Sequence, residues 1–191
     1  SQKLKNMKNI AVIGAAGYTG GELIRILVNH PFVKIAFAHS KSKAGKPVFE
    51  THTDLLGDTD LVFTNTLNWE GVDLAFLCVG HGEAKNFLEE NSIPKHIKLI
   101  DLSQDHRLIP ASENGFVYGL PELNKKAIVK ADKVANPGCF ATAIQLSLLP
   151  LAENSLLTNE IHITATTGST GAGQGMSPTS HFSWRNNNLS A

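Results

Sequence analysis

Asn9-Ile10-Ala11-Val12-Ile13-Gly14-Ala15-Ala16-Gly17-Tyr18-Thr19-Gly20 decides the fold. Asn9 to Ile13 is a short apolar run with strand character, and the glycine segment follows at once. Gly21 to Asn29 then reads as a helix, with Leu23, Ile24, Leu27 and Val28 on one face. Strand, glycine loop and helix in this order open a Rossmann-type unit. Its glycines permit a tight turn and let the backbone approach a pyrophosphate at the helix N-terminus. The spacing is G-x-x-G-x-x-G rather than the commoner G-x-G-x-x-G. A tight strand–helix turn needs glycine with or without a ligand. The triplet therefore draws its weight from the strand before it and the helix after it, and this context points to a dinucleotide site. Gly14, Ala16, Gly17, Tyr18, Thr19 and Gly20 are its candidate cofactor-binding residues.

Outward from this unit, strand and helix signals alternate. Val33 to Ala38, Asp60 to Phe63, Asp73 to Cys78, Ile97 to Ile100 and Lys133 to Ala135 read as strands. The run from Asp73 to Cys78 is continuously apolar, as expected of a strand covered on both faces. Glu83 to Glu90 reads as a helix, and Asn124 caps a short helix through Val129. Strands joined by helices of this length predict an α/β fold with a parallel, doubly wound sheet. In such a sheet ligands bind outside the carboxyl ends of the strands.

The second expected strand leads into His39-Ser40-Lys41-Ser42-Lys43. A site for NAD places an acidic residue here, on the ribose hydroxyls. Hydroxyls and lysines stand there instead, which suits a 2′-phosphate and favours NADP through Ser40, Lys41 and Ser42. A solvated basic loop is the other reading of the same residues.

Asn136-Pro137-Gly138-Cys139-Phe140-Ala141-Thr142-Ala143 is the second informative stretch. Pro137 and Gly138 form a turn after the strand Lys133 to Ala135, and Phe140, Ala143, Ile144, Ser147 and Leu148 recur at helical spacing. Cys139 therefore starts a helix, beside unpaired backbone N–H groups and the positive end of the helix dipole. Both favour the thiolate, which is the nucleophile. The alternative is a buried cysteine acting as a small hydrophobe. That alternative suits Cys78, inside its apolar strand.

Other strand ends carry polar residues: Gly80-His81-Gly82-Glu83 after Cys78, and Asp101-Leu102-Ser103-Gln104-Asp105-His106-Arg107 after Ile100. His81 is either a loop histidine or a group near the nicotinamide. Arg107 is either an anion clamp or a salt-bridge partner. Asp105 and His106 read as structural or surface residues.

Composition agrees with a globular enzyme. The chain has 191 residues, 42% of them hydrophobic, enough for one good core and part of a second. Lysine plus arginine equals aspartate plus glutamate at 17 each, so no global field points to nucleic acid or an anionic membrane. Two cysteines make no disulfide framework, which fits a reducing compartment. No signal-peptide pattern or bilayer-length apolar run is expected. Residues 1–6 read as a polar tail or tag.

Taken together, these motifs resemble the N-acetyl-gamma-glutamyl-phosphate reductases, the arginine-biosynthesis branch of the semialdehyde dehydrogenases. The matching pieces are the glycine loop, Ala44-Gly45-Lys46, Asp101-Leu102-Ser103 with Arg107, Tyr118-Gly119-Leu120-Pro121-Glu122-Leu123, the Cys139 stretch, and Gly168-Ser169-Thr170-Gly171-Ala172-Gly173. The resemblance implies NADP(H) as cofactor, an acyl phosphate as small-molecule substrate, and no nucleic-acid or membrane partner. It also implies a homo-oligomeric parent protein in the cytoplasm. Cys139 would be the catalytic nucleophile. Ser103, Arg107, Asn136, Ser169 and Gly171 would bind substrate, and no metal is expected. It divides the chain into a nucleotide-binding domain over 7–150 carrying the cysteine helix, and an incomplete start of an α+β catalytic and dimerisation domain over 151–191. Thr158 to Thr166 would be the first strand of that domain and Thr167 to Pro178 its glycine-rich loop.

The resemblance implies that the catalytic histidine would lie beyond Ala191. His162 and His181 do not match it, so little turnover is expected of this chain alone. Another cysteine-dependent semialdehyde dehydrogenase, such as aspartate-semialdehyde dehydrogenase with its similar plan and different cysteine segment, is the alternative enzyme. A non-enzymatic NADP-binding fragment is the other alternative.

Overall fold

Lys8–Ile13 forms β1, whose last four residues are all buried. The molecule is a computed structural model that describes residues 7–173 and 175. After β1 come α1 (Tyr18–Val28), β2 (Val33–His39), β3 (Phe63–Thr64), β4 (Leu74–Leu77) and α2 (Glu83–Glu90). Then follow β5 (Lys98–Asp101), α3 (Ala111–Asn114), β6 (Phe116–Tyr118), α4 (Pro121–Lys130), β7 (Lys133–Ala135) and α5 (Cys139–Glu153). Short 3-10 turns occupy Val48–Glu50, Thr53–Leu55 and Ser169–Ala172.

The strands make one seven-stranded sheet in the order β3-β2-β1-β4-β5-β7-β6. Every strand pair is parallel. The chain winds outward from β1 through β2 to β3, then returns to the other side of β1 as β4. The carboxyl ends of β1 and β4 therefore flank the switch point where ligands enter such sheets.

The period of two along β1 sorts its side chains to two faces. Ala11 and Ile13 join a core with Phe37, Leu77, Ala84, Phe87 and Leu99, under α2. Ile10 and Val12 join Ile24, Leu27, Val48, Leu55 and Phe63, under α1. Burying each large aliphatic side chain here stabilises the fold by about 1.5–3 kcal/mol. α5 differs: it has fifteen residues and none of them is buried.

The elements depart from the sequence pattern at several points on both sides of the sheet. The strand expected over 60–63 joins the sheet only at Phe63–Thr64. The backbone ahead of it is taken by an antiparallel clasp, Val48 N–H to the Leu61 carbonyl at 2.8 Å and Phe63 N–H to the Lys46 carbonyl at 2.9 Å. β6, a three-residue strand at the sheet edge, is too short to show alternation. α4 begins at Pro121, a favoured first helical residue, and is broken in conformation at Asn124, whose side chain donates to the Tyr118 carbonyl at 2.9 Å. Residues 158–166 form no strand, and among the described residues no free strand edge pairs with them. The expected loop over 167–178 falls partly outside the described residues, and His181 wholly so.

Candidate active site

A cavity of about 720 Å³ opens at the switch point. Gly14, Ala16 and Gly17 line it from the glycine loop, Ser40 to Lys43 from the end of β2, and Val79, Gly80, Glu83, Asn86 and Glu90 from β4 and α2. Gly14 has φ +78°, and a Cβ there would lie 2.5 Å from the Cys78 carbonyl oxygen. Only glycine fits that position without strain. The Gly17 N–H donates to the Gly14 carbonyl at 3.1 Å and closes the turn. A Cβ on Gly17 would meet nothing nearer than 3.4 Å, so packing leaves this position open to substitution.

α1 starts at Tyr18, three residues earlier than its apolar face indicates. Tyr18, Thr19 and Gly20 thus form its first turn, where backbone N–H groups lack intrahelical partners. None of these three side chains lines the cavity. Tyr18 is exposed, Thr19 hydrogen-bonds the Cys78 thiol, and Gly20 packs so closely on Ala15 that a Cβ would lie 2.7 Å from its Cα.

His52 was not singled out by the sequence. It is buried, and its Nε2–H donates to the Ala15 carbonyl at 2.9 Å. Its ring lies where a Cβ on Gly21 would be, 2.5 Å from Cε1. Loop and helix are thus keyed to a histidine thirty-seven residues from Ala15. No short-range signal marks such a contact; Gly21 inside a helix is the one trace of it.

The cavity fits a phosphorylated nucleotide. It joins the N-terminus of α1 to a wall holding Ser40, Lys41, Ser42 and Lys43, with no carboxylate at the end of β2. His39 ends β2 and lines the same wall. Burial, with Lys41 nearby, holds its imidazole below the ordinary histidine value. Burial likewise pushes the Cys78 thiol up to about 12, against a hydrogen bond from Thr19 and with the Asp101 charge adding to the rise. Cys78 is therefore an inert thiol.

Cys139 is the first residue of α5, behind Gly138 in extended conformation, and its side chain is exposed. Thr142 returns to the Gly138 carbonyl with both its N–H and its hydroxyl, each at 2.9 Å. The preceding turn is fastened to β5. Asn136 N–H donates to the Asp101 carbonyl at 2.8 Å. Arg107 donates through Nε to the Asn136 carbonyl and through Nη2 to the Leu102 carbonyl, each at 2.8 Å. A Cβ on Gly138 would lie 2.9 Å from Arg107 Nη1, so the guanidinium sits against the turn that presents Cys139.

Ser103 is fully buried. Its hydroxyl donates to Asp101 Oδ2 at 2.9 Å, beside His106 Nδ1 at 2.7 Å from the same oxygen. The His106 ring stacks on Phe116 with centroids 4.1 Å apart. Ser103 thus occupies a bracing place rather than a cavity wall. His81 Nδ1 accepts from Gln104 N–H at 3.1 Å and lines no cavity wall described above. Beyond Cys139 a second cavity of about 500 Å³ lies between α5 and Ile161 to Thr167. Gly171 lies in the turn Ser169–Ala172, closed by its N–H to the Gly168 carbonyl at 3.2 Å. Among the described residues no cluster of three or more His, Cys, Asp or Glu side chains could hold a metal ion.

The structure thus combines a parallel sheet, a cavity at its switch point and an exposed cysteine heading a helix off the carboxyl ends of the strands. The family model for the semialdehyde dehydrogenase NAD binding domain matches residues 9–131. The model for the semialdehyde dehydrogenase dimerisation domain matches residues 139–191. The chain belongs to the semialdehyde dehydrogenase family.

Among curated relatives, a Flavobacterium johnsoniae protein named N-acetyl-gamma-glutamyl-phosphate reductase is 56% identical over 187 residues, 96% of this chain and 57% of its own length. A protein of the same name from Parabacteroides distasonis is 53% identical over 184 residues, again 96% of this chain and 57% of its own length. The chain thus spans a little over half the length of these relatives. Among solved structures, aspartate semialdehyde dehydrogenase of Candida albicans with NADP aligns with TM-score 0.59 at 18% identity, covering 79% of this chain and 48% of that one. The Vibrio cholerae aspartate semialdehyde dehydrogenase II complexed with ASA aligns with TM-score 0.65 at 18% identity, covering 88% and 49%. These likenesses bear on the fold.

Proposed function

We propose that this chain carries the nucleotide cavity and the nucleophile of an NADPH-dependent reductase acting on N-acetyl-gamma-glutamyl phosphate. The observation that carries the reading is Cys139, exposed at the first residue of α5 and braced by Arg107 on the sheet edge that also forms the nucleotide cavity. The name of the relatives, which are 52–56% identical to this chain, supports the substrate.

The Cys139 thiolate attacks the acyl phosphate carbonyl, and phosphate leaves with the C–O bonding pair to give a thioester. Splitting one displacement into two easier steps is what covalent catalysis provides. Backbone N–H groups of the first turn of α5 face the developing oxyanion. NADPH, when bound, supplies the hydride that reduces the thioester to the aldehyde level. Gly14 and Gly17 would let the backbone at α1 hold its pyrophosphate, and Lys41 with Ser40 and Ser42 would hold a 2′-phosphate. Arg107, Asn136 and the segment containing Ser169 and Gly171 are the substrate-side groups. Residues 7–150 form the nucleotide-binding portion and 151–191 the start of the portion that completes substrate binding and oligomerisation. The reaction belongs to biosynthetic chemistry in the cytoplasm.

Intact-mass and phosphate-release analysis with N-acetyl-gamma-glutamyl phosphate, without NADPH, tests the reading. The expected result is an acyl adduct at Cys139 with phosphate released, and neither with Cys139→Ser. Adduct formation by Cys139→Ser at the parent rate would overturn the assignment of the nucleophile. Faster acylation by aspartyl phosphate would move the substrate to the aspartate branch.

A further inference from the structure

One side chain joins the wall of the nucleotide cavity to the loop that fastens the cysteine turn. Asp105 accepts the Gly82 N–H at 2.6 Å through Oδ1 and the Lys85 N–H at 3.1 Å through Oδ2. Both donors lie at the start of α2, the helix whose Glu83, Asn86, Phe87 and Glu90 line the cavity. α2 has no cap of its own, because its N-cap position is Gly82 at φ +84°.

Asp105 is in turn held from the other side. Its N–H donates to Ser103 Oγ at 3.1 Å, Ser103 Oγ donates to Asp101 Oδ2 at 2.9 Å, and the Asp101 carbonyl accepts Asn136 N–H at 2.8 Å. Two residues after Asp105, Arg107 holds the Asn136 carbonyl. A continuous path of hydrogen bonds therefore runs from α2 to the turn before Cys139. A serine or aspartate at position 82 itself would cap α2 without joining the two loops. The cap comes instead from a residue twenty-three positions away. Burial opposes the charge on Asp105, but N–H groups of Gly82, Lys85 and Ala84 outweigh it and hold the carboxyl below its ordinary value.

We infer that Asp105 is a positioning residue, which keeps the α2 wall of the nucleotide cavity in register with the turn that presents Cys139. The inference rests on the functional reading above, and it gives Asp105 a place in that reaction without contact with substrate or nucleotide.

The test compares the 191-residue chain with Asp105→Asn and with Asp73→Asn. Asp73 is a matched control at the amino ends of the central strands, where its carboxylate accepts the Asn9 N–H at 2.9 Å and pairs with Lys8. Three quantities are read: melting temperature, NADPH affinity by fluorescence titration, and the iodoacetamide rate at Cys139 by peptide mass. Asp105→Asn should weaken NADPH about tenfold, as loss of a charge-assisted acceptor does. It should also change the Cys139 rate by about threefold or more, whereas Asp73→Asn lowers only the melting temperature. If Asp105→Asn behaves as Asp73→Asn does, Asp105 is a helix cap and the inference fails.

A parent chain that does not bind NADPH would sink the functional reading. The link between loops would then stand or fall on the Cys139 rate alone. If Asp105→Asn does not fold, hydrogen exchange on the parent chain decides. NADPH should slow exchange at the Asp105 and Asn136 amides as well as at Gly80, and slowing at Gly80 alone would overturn the inference.

Discussion

Cys78 and Cys139 are the same chemical group in opposite surroundings, one buried beside Thr19 and the other exposed at a helix start. Iodoacetamide at pH 8 should therefore modify Cys139 and leave Cys78 unmodified in the folded chain. Modification of both at similar rates would contradict the burial of Cys78. The glycines divide in the same way. Gly14→Ala forces a side chain into the left-handed region and onto the Cys78 carbonyl, and should cost about 1–3 kcal/mol in a denaturant titration. Gly17→Ala should leave stability within about 1 kcal/mol while weakening NADPH, because the position lines the cavity but is sterically free. At this scale the sequence was informative wherever a residue acts through its neighbours in the chain. Gly14 and Cys139 announce themselves by the turn and helix beside them. Asp105 and His52 do not, because their partners lie twenty-three and thirty-seven residues away.

Among the elements, those that bury an apolar face followed directly from pattern. α2 occupies Glu83–Glu90 and β7 Lys133–Ala135, as their residues indicate, α2 through its periodic face and β7 through the Pro137-Gly138 turn that follows it. The pattern places β3 three residues early, over 60–63, and misses β6, because two or three residues carry little periodicity and their pairing is decided by the strand they meet. The carboxylates that tie elements together also set an acid limit. The Arg25 guanidinium holds Asp54 at about 2, and the Lys8 ammonium with the Asn9 N–H holds Asp73 below its ordinary value, as α2 does for Asp105. A carboxyl depressed in the folded state stabilises it above the unfolded value of about 4, and that contribution is lost as pH falls towards the folded values. The melting temperature should accordingly drop between about pH 4 and pH 2. Asp73→Asn should make that drop shallower, and an unchanged slope would show that Asp73 carries none of it.

For the molecule as a whole, the sheet is well covered and α5 is not. Phe140 and Leu151 are exposed on a helix whose Ile144 and Leu148 line the cavity shared with the segment 161–167. Apolar surface of this kind drives association, and residues 139–191 match a dimerisation domain. Light scattering should find mass rising with concentration, and Leu148→Lys combined with Leu151→Lys should abolish the rise. A parent chain that stays monomeric throughout would contradict this. The sequence indicated an open second portion through its motifs, but it wrongly implied that residues 158–166 would already pair as a strand. A strand needs a neighbour, and among the described residues neither edge of the sheet pairs with this segment.

The nucleotide cavity has an order in time as well as a place in space. All of the residues that wall it lie between Ile13 and Glu90, so a chain emerging from the ribosome finishes that wall well before Cys139 is made. N-terminal units fold first during synthesis, and a ligand that binds only the folded form stabilises it. Translation arrested after β5 leaves the first half tethered, and protease resistance with and without NADPH would read whether the nucleotide protects it. The cell's pool of reduced nucleotide would then serve as a scaffold for the newborn chain before it ever served as a reductant.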